Sequence, residues 1–380
     1  MSQTFLLQTP LHTEHQQLGA RFVPFSGWEM PVSYSSLIKE HNAVRTQVGM
    51  FDISHMGKFL LRGSDVRDQL SRLLPSDLSS LQPGESQYSV LLNSAAGILD
   101  DIILYFLGQD PHQPDQEVWL LIVNAATTPK DWQWLQDHLQ GIELQDQSRE
   151  LVLLAVQGPK ALATLQPLLG DSISGMKRFQ QHYVTLQPEV TPLLDLEELI
   201  FVARTGYTGE DGFELMLSPA TGVWLWQHLL QMGVTPCGLG CRDSLRLEAS
   251  MHLYGQDMDE STTPLEAGLS WLIASPVSYI GCEALQKQRA EGLSRRLIGL
   301  RMQGREIARA GYSVFAEGKA VGRITSGTHS PTLTAAIALA YVPTAYAATG
   351  TPLEVEIRGK LYPAKVVKRP FYRSPSPAPR

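Results

Sequence analysis

The stretch Arg204-Thr-Gly-Tyr-Thr-Gly-Glu-Asp-Gly-Phe-Glu214 places glycines at 206, 209 and 212 around a polar turn and then runs into Phe213-Glu214-Leu215-Met216-Leu217. Glycines at every third position allow positive φ and let a backbone come close to a ligand. In the strand that follows, side chains alternate between faces, so Glu214 points opposite to Phe213 and Leu215. With those two in the core, Glu214 faces either a surface or a cleft. On spacing alone the segment also fits a surface hairpin carrying a solvated glutamate.

Working outward, apolar runs at Ile102–Leu107, Val118–Val123 and Leu151–Val156 read as strands. A helix is expected from Thr128 to about Leu139, with Thr128 as N-cap and Pro129 at the first helical position. Another is expected over Lys160–Leu169. Strand-then-helix alternation by itself suggests a parallel α/β sheet. The polar segment Ala290–Arg296 reads as a linker, and the chain beyond it is strand and turn only. Leu353, Val355 and Ile357 alternate with polar neighbours up to a turn at Arg358-Gly359-Lys360, and Tyr362, Ala364 and Val366 alternate after it. Glu317-Gly318-Lys319 marks a second hairpin.

Composition narrows the function classes. With 380 residues, 43% hydrophobic and 18% charged, the chain exceeds the size of one core and reads as globular with two or three domains. A net charge of −7 argues against a broad phosphate-binding surface, so no nucleic-acid partner is expected. The three cysteines cannot build a disulfide framework and suggest a reducing compartment. Neither Cys237 with Cys241 nor the histidine pairs complete a ligand set, so no metal is expected. The first ten residues lack the basic and apolar regions of a signal peptide, and no apolar stretch reaches spanning length. Cytoplasmic location and no membrane partner are the expectations. Gly238-Leu-Gly240 lacks the third glycine of a dinucleotide fingerprint, so no flavin is expected.

The run from Arg204 to Glu214, together with Cys-Arg-Asp-Ser-Leu-Arg-Leu-Glu-Ala at 241–249, resembles the T protein of the glycine cleavage system. Phe-Ser-Gly-Trp-Glu-Met-Pro-Val at 25–32, Phe-Asp-Ile-Ser-His-Met-Gly at 51–57 and Gly-Ile-Leu-Asp-Asp-Ile-Ile at 97–103 are similar to further motifs of that family. So are Leu-Tyr-Gly-Gln-Asp-Met-Asp-Glu at 253–260 and Thr-Pro-Leu-Glu-Ala-Gly-Leu-Ser-Trp at 263–271. The matches run in family order from Thr9 to Phe371, nearly the whole chain. The resemblance implies an α+β, multidomain fold, with mixed and antiparallel sheets and helices in a folate-binding core at 1–290, built of two interleaved subdomains. A C-terminal all-β, barrel-like domain at 295–373 and a disordered tail at 374–380 complete it.

The activity implied is that of a tetrahydrofolate-dependent aminomethyltransferase of glycine catabolism. A lipoylated H protein presents the aminomethyl group, tetrahydrofolate accepts the one-carbon unit, and ammonia leaves; the P and L proteins work in the same system. Asp101, the second aspartate of Gly-Ile-Leu-Asp-Asp-Ile-Ile, sits where the family places its catalytic carboxylate, and apolar neighbours would strengthen its field. Asp100 faces the other side of a strand and is expected to be dispensable. Read without the resemblance, the pair is ordinary acidic turn chemistry. Glu214 suits the two-donor edge of a pterin, and Arg242 its carbonyl or a folate carboxylate. Tyr88 and Tyr207 match aromatic pocket positions, while Met56, Asn124 and Trp271 fit either the pocket or buried structural roles. Asp243 is read as helix N-terminal charge stabilisation and Arg246 as a structural ion pair. Ala96, where the family often has glycine, and Cys282, where relatives have lysine, depart from the pattern. A folate-dependent demethylase would share much of the glycine-tyrosine run. A non-enzymatic folate-binding accessory protein would carry a cysteine where Gly206 stands.

Overall fold

The computed structural model describes residues 5–187 and 198–375. Its described residues form two large sheets, a small hairpin and a closed barrel. The first sheet is antiparallel throughout, in the order Glu85–Leu92, Ile98–Gln109, Glu117–Val123, Gly57–Gly63, Glu143–Asp146. The second runs Gln181–Val184, Ile200–Ala203, Gly212–Leu217, Val152–Gln157, Gly49–Asp52, Thr235–Pro236, and its last pair is parallel. The parallel sheet suggested by local alternation is thus absent from the described residues, and the antiparallel α+β arrangement implied by the family holds.

Strand alternation builds the layers. On the second sheet Val152, Leu154, Val156, Phe213, Leu215 and Leu217 pack outward against the helices Ala161–Leu169 and Pro219–Gln231. On the first, Leu104, Phe106, Trp119 and Leu121 pack outward beneath Val66–Ser71 and Thr128–His138. The opposite faces meet in a third cluster, where Tyr105, Leu120 and Ile122 oppose Leu153, Ala155, Phe201, Ala203 and Met216. The candidate carboxylates Asp101 and Glu214 lie along this inter-sheet seam.

Several local expectations shift. The aspartate strand starts at Ile98, so Asp100 and Asp101 lie within it and not at its end. The helix at 128 has Thr127 as its cap residue, and neither threonine caps an N–H. Both hydroxyls instead donate to the Asn124 carbonyl at 3.0 Å. The second helix starts at Ala161 with Lys160 as its cap. The linker expected over 290–296 shrinks to Gly292–Ser294, because the helix Cys282–Glu291 and the strand Arg295–Met302 intrude from either side. Ala96 occupies φ +64°, the left-handed region where glycine fits without penalty, which explains the expected glycine there.

The barrel closes in the order Arg295–Met302, Ala335–Pro343, Lys319–Ser330, Ser313–Ala316, Pro352–Ile357, Lys360–Val367. Two of its hairpins turn through Glu317-Gly318 and Arg358-Gly359, all at positive φ, the two-residue geometry that matches strand twist. Of the expected tail at 374–380, residues 376–380 lie outside the described residues.

One helix, Leu239–Glu248, joins barrel to core. Arg246, 1% exposed, donates to Asp257 at 2.5 Å, to Asp243 at 2.8 Å and to the Ser326 hydroxyl of the barrel at 2.7 Å. Asp257 also accepts from Thr325 at 2.6 Å. Asp243 therefore serves the arginine one turn on, not the helix N-terminus. Burial works against ionisation of Asp257, but Arg246 and the Thr325 and Ser326 hydroxyls hold its pKa below the usual range. Glu248 accepts from Arg45 at 2.8 Å and from Thr332 at 2.8 Å, with Ser330 beside them. Removing one partner of a buried pair strands the other charge, at a cost of about 3–5 kcal/mol. Asp257→Ala is therefore expected to lower unfolding free energy by about that amount in urea titrations, and a loss below about 1 kcal/mol would show that Arg246 finds compensation elsewhere.

Candidate functional site

The site grows from two strands that face each other across the seam. On Ile98–Gln109, Ile103 and Tyr105 point into the seam and Ile102 and Leu104 point away, so Asp101 faces inward and Asp100 outward. On Gly212–Leu217, Phe213 and Leu215 point to the outer core and Met216 inward, so Glu214 faces inward too. Two carboxylates from different sheets thus face the same seam. The glycines around Glu214 have more local reasons than a ligand. Gly209 turns at φ +81°, and a Cβ on Gly206 would sit 2.0 Å from the Gln157 side chain. That glutamine ties the turn together, donating to the Thr205 carbonyl at 3.0 Å and accepting from Thr208 at 2.9 Å.

Around Asp101, the Tyr88 hydroxyl donates to Oδ2 at 3.0 Å and Asn124 Nδ2 to Oδ1 at 2.8 Å. Burial, then the charge of neighbouring Asp100, push Asp101 up to about 7, against the lowering effect of those two hydrogen bonds. Asp101 can therefore gain or lose a proton near neutrality, as a group engaged in proton transfer needs. Tyr88 stacks on Trp271 at 6.0 Å and 24°, and Trp271 is 60% exposed, so the pair forms a rim. A buried structural role for Trp271 is excluded by that exposure.

Around Glu214, the Thr205 hydroxyl donates to Oε2. Burial raises the Glu214 pKa, while Thr205 and the Arg242 charge oppose the rise. Arg242, in the helix that anchors the barrel, lays its guanidinium over the Tyr207 ring at 4.5 Å. The Tyr207 hydroxyl donates to the His252 carbonyl, and its ring position is close enough to feel both Arg242 and Asp101. Glu214, Arg242, Tyr207, Tyr88, Asp101 and Asn124 therefore form one continuous wall. Met56, like Ile103, packs at the edge of the seam cluster.

Asp100 turns away from Asp101 as expected, and it is fully buried. It accepts from Asn124 N at 3.0 Å and Asn124 Nδ2 at 2.9 Å, so the residue holding Asp101 is itself held by Asp100. Three further residues escaped notice. Lys58, fully buried, donates to the carbonyls of Ser54, Met56 and Ser148 at 2.9 Å each and thereby fixes the loop carrying Met56. Burial lowers its pKa to about 8, against the pull of Asp52 and Asp146. A lysine opening the apolar run Lys58-Phe-Leu-Leu was the available signal. His55, 3% exposed, lies beside Met56, and burial with the Arg242 charge lowers it to about 3. Asp131 left no such mark in its polar helix.

Residues 11–276 match the family model described as the GCVT N-terminal domain, and 295–373 match the glycine cleavage T-protein C-terminal barrel domain. This chain belongs to the glycine cleavage T-protein family. The T-protein relatives include an aminomethyltransferase of Nostoc sp., 54% identical across 97% of this chain and 96% of the relative. Another, of Picosynechococcus sp., is 55% identical over 97% and 99%. The crystal structure of glycine cleavage system aminomethyltransferase T from Bartonella henselae superposes with a TM-score of 0.89, at 34% identity, over 99% of this chain and all of that one. The T-protein fold and an aminomethyltransferase activity follow for this chain. No helix among the described residues is long and apolar enough to cross a membrane.

The ionisation of Asp101 has a definite sign in stability. Its folded pKa near 7 exceeds the ordinary carboxylate value, so the folded protein binds this proton more tightly than the unfolded chain. Stability from this group is gained as pH falls through 7 and is absent above it. Urea unfolding at pH 5.5 and 8 is expected to show a larger acid-side gain in the parent than in Asp101→Asn. Equal gains would mean Asp101 is already ionised across that range.

Proposed function

We propose that the seam wall binds tetrahydrofolate and that Asp101 serves the transfer of a one-carbon unit to it from an aminomethyl group on the lipoyl arm of an H protein. In this reaction the methylene carbon gives up its bonds to sulfur and to the amine nitrogen and forms bonds to folate N5 and N10. The two protons leaving N5 and N10 end on the lipoyl sulfur and on ammonia. The products are 5,10-methylenetetrahydrofolate, dihydrolipoyl H protein and ammonia. The P and L proteins would supply the aminomethyl group and reoxidise the lipoyl arm. The reaction calls for neither metal nor flavin, and among the described residues no group of three potential ligands gathers. The expected setting is the cytoplasm, with no nucleic-acid or membrane partner.

The observation that carries this reading is the pair of inward carboxylates on facing strands with an arginine and two tyrosines between them. Glu214 can accept from the pterin 2-amino group and N3–H, a charge-assisted pair. Arg242, held flat over Tyr207, is placed to donate to the pterin carbonyl. Tyr207 and Tyr88 offer ring faces, Met56 an apolar contact, and Trp271 the outer rim. Asp101, oriented by Tyr88 and Asn124, can take the proton released as the first carbon–nitrogen bond forms and stabilise the cationic charge that develops.

Asp101→Asn keeps the volume and one of the two acceptor oxygens but not the charge. Turnover, read as ammonia release at saturating folate and aminomethylated H protein, is expected to fall about a hundredfold or more, with folate affinity far less affected. Turnover within a fewfold of the parent would remove Asp101 from the chemistry. Glu214→Gln turns one acceptor into a donor facing donors, so calorimetry is expected to show folate binding weakened by about 1–3 kcal/mol. Unchanged affinity would place the pterin elsewhere.

A further inference from the structure

The junction between barrel and core encloses a histidine that the reaction above leaves without a part. His41, on the helix Leu37–Thr46, is fully buried, and both ring nitrogens meet hydroxyl oxygens. Nδ1 lies 2.8 Å from Ser244, and Nε2 lies 2.9 Å from Thr332, in the barrel turn between Ser330 and Ala335. Each hydroxyl has a single hydrogen, and each directs it elsewhere. Ser244 donates to the Cys241 carbonyl at 2.9 Å, and Thr332 donates to Glu248 at 2.8 Å. Toward the ring both oxygens accept, so both ring nitrogens carry hydrogen and the ring is a cation. The charges around it give the same answer. Glu248 Oε2 lies 3.2 Å from His41 Nε2 and 2.8 Å from Arg45 Nη2, and Arg45 Nη1 reaches Glu210 at 2.9 Å. All four side chains are at most 5% exposed. Two enclosed carboxylates thus face one guanidinium, and the imidazolium is the second positive charge that their burial requires. Burial acts to raise Glu248, yet the His41 hydrogen bond and charge, with Ser330 and Arg45, bring it down to about 2. Tyr372, with Arg45 over its ring at 4.0 Å, stays neutral, since burial and then Glu210 push it up to about 12.

We propose that His41 is a positioning residue for the folate site: as a buried imidazolium it balances the charge of the junction, and so lets Arg45 hold together the two elements that carry Glu214 and Arg242. The proposal rests on the reading of those two residues as the pterin's partners. Arg45 is the connection. Its guanidinium donates to the Thr208 carbonyl at 2.8 Å and to Glu210 at 2.9 Å, in the turn that leads into the Glu214 strand. It also donates to Glu248 at 2.8 Å and 3.1 Å and to the Leu245 carbonyl at 3.4 Å, on the helix that carries Arg242. His41 and Arg45 stand one turn apart on one helix and share Glu248 Oε2. With a neutral ring the cluster would keep one uncompensated negative charge, and the two carboxylates would compete for Arg45. Glu248 is held by Thr332 and Ser330 as well, so Glu210 and its turn are the part that gives way.

Nitrogen-15 spectra of the folate-free, histidine-labelled protein near neutral pH are expected to show both His41 ring nitrogens bonded to hydrogen. Its signals are identified by their loss in His41→Gln or, should that variant not fold, by their displacement in Ser244→Ala, which removes only the acceptor at Nδ1. A bare Nδ1 would overturn the proposal. His41→Gln leaves the junction one positive charge short, so its urea midpoint is expected to fall. Its tetrahydrofolate dissociation constant is expected to rise about tenfold by calorimetry, with kcat at saturating folate within about threefold of the parent. His41→Gln/Glu210→Gln is balanced again, and the amide introduced at 210 still accepts from Arg45, so most of both losses is expected to return. A double variant no better than the single would make His41 a packing residue, and unchanged folate affinity in His41→Gln would deny it a positioning role; either overturns the proposal. Glu214→Gln run alongside separates the two failures. If that variant binds folate as the parent does, the reading of Glu214 fails, while the spectrum and the urea midpoints still test the charge on His41.

Discussion

Alternation along a single strand governs the site. Ile98–Gln109 is packed on both faces, so its adjacent aspartates are sent into different environments, Asp101 into the seam between sheets and Asp100 beneath a helix. Neither is free to relax toward solvent. Each needs donors, and one residue, Asn124, supplies both from the end of the neighbouring strand. An acidic pair that would be unremarkable in a surface loop becomes here a group titrating near neutrality. The wall of aromatic and cationic groups is arranged around that fact.

The helix Leu239–Glu248 imposes a second constraint. Arg242 faces the seam, while Arg246 and Glu248 reach the barrel and the helix Leu37–Thr46. Barrel and core share a buried polar junction of arginine, carboxylate and hydroxyl groups whose desolvation is offset only when every partner is present. The orientation of Arg242 over Tyr207 depends on the same helix axis. The barrel, distant from the carboxylates in sequence, thereby helps to fix the guanidinium beside Glu214.

Much of this was legible from residues, and what was missed has physical causes. The motif Arg204–Glu214 located Glu214, and strand alternation gave its direction, because period-two geometry is local. The barrel hairpins at Glu317-Gly318 and Arg358-Gly359 could be read because their turns demand particular residues. Sheet direction could not be read locally, since pairing at long range decides it, and alternation pointed to the wrong answer. The role of the glycines at 206 and 212 depended on Gln157, some fifty residues away in sequence. The burial of Asp100 was not legible because the outward face of a strand is solvated only where nothing covers it, and here the helix Thr128–His138 does. Asp131 left no mark for the same reason, and Lys58, though it opens an apolar run, is given its role by carbonyls that only the fold brings near.

Trp271 has a consequence beyond binding. Most of its indole lies in water, whereas Trp119 and Trp226 are wholly enclosed and Trp28 nearly so. An indole that loses water on stacking changes its emission energy, while enclosed indoles keep theirs. Stacked on Tyr88, one hydrogen bond from Asp101, Trp271 gives the rim an intrinsic optical signal for occupancy of the seam. Arrival and departure of a bound molecule could then be followed in real time, on the unlabelled protein, at the same rim that bounds Asp101.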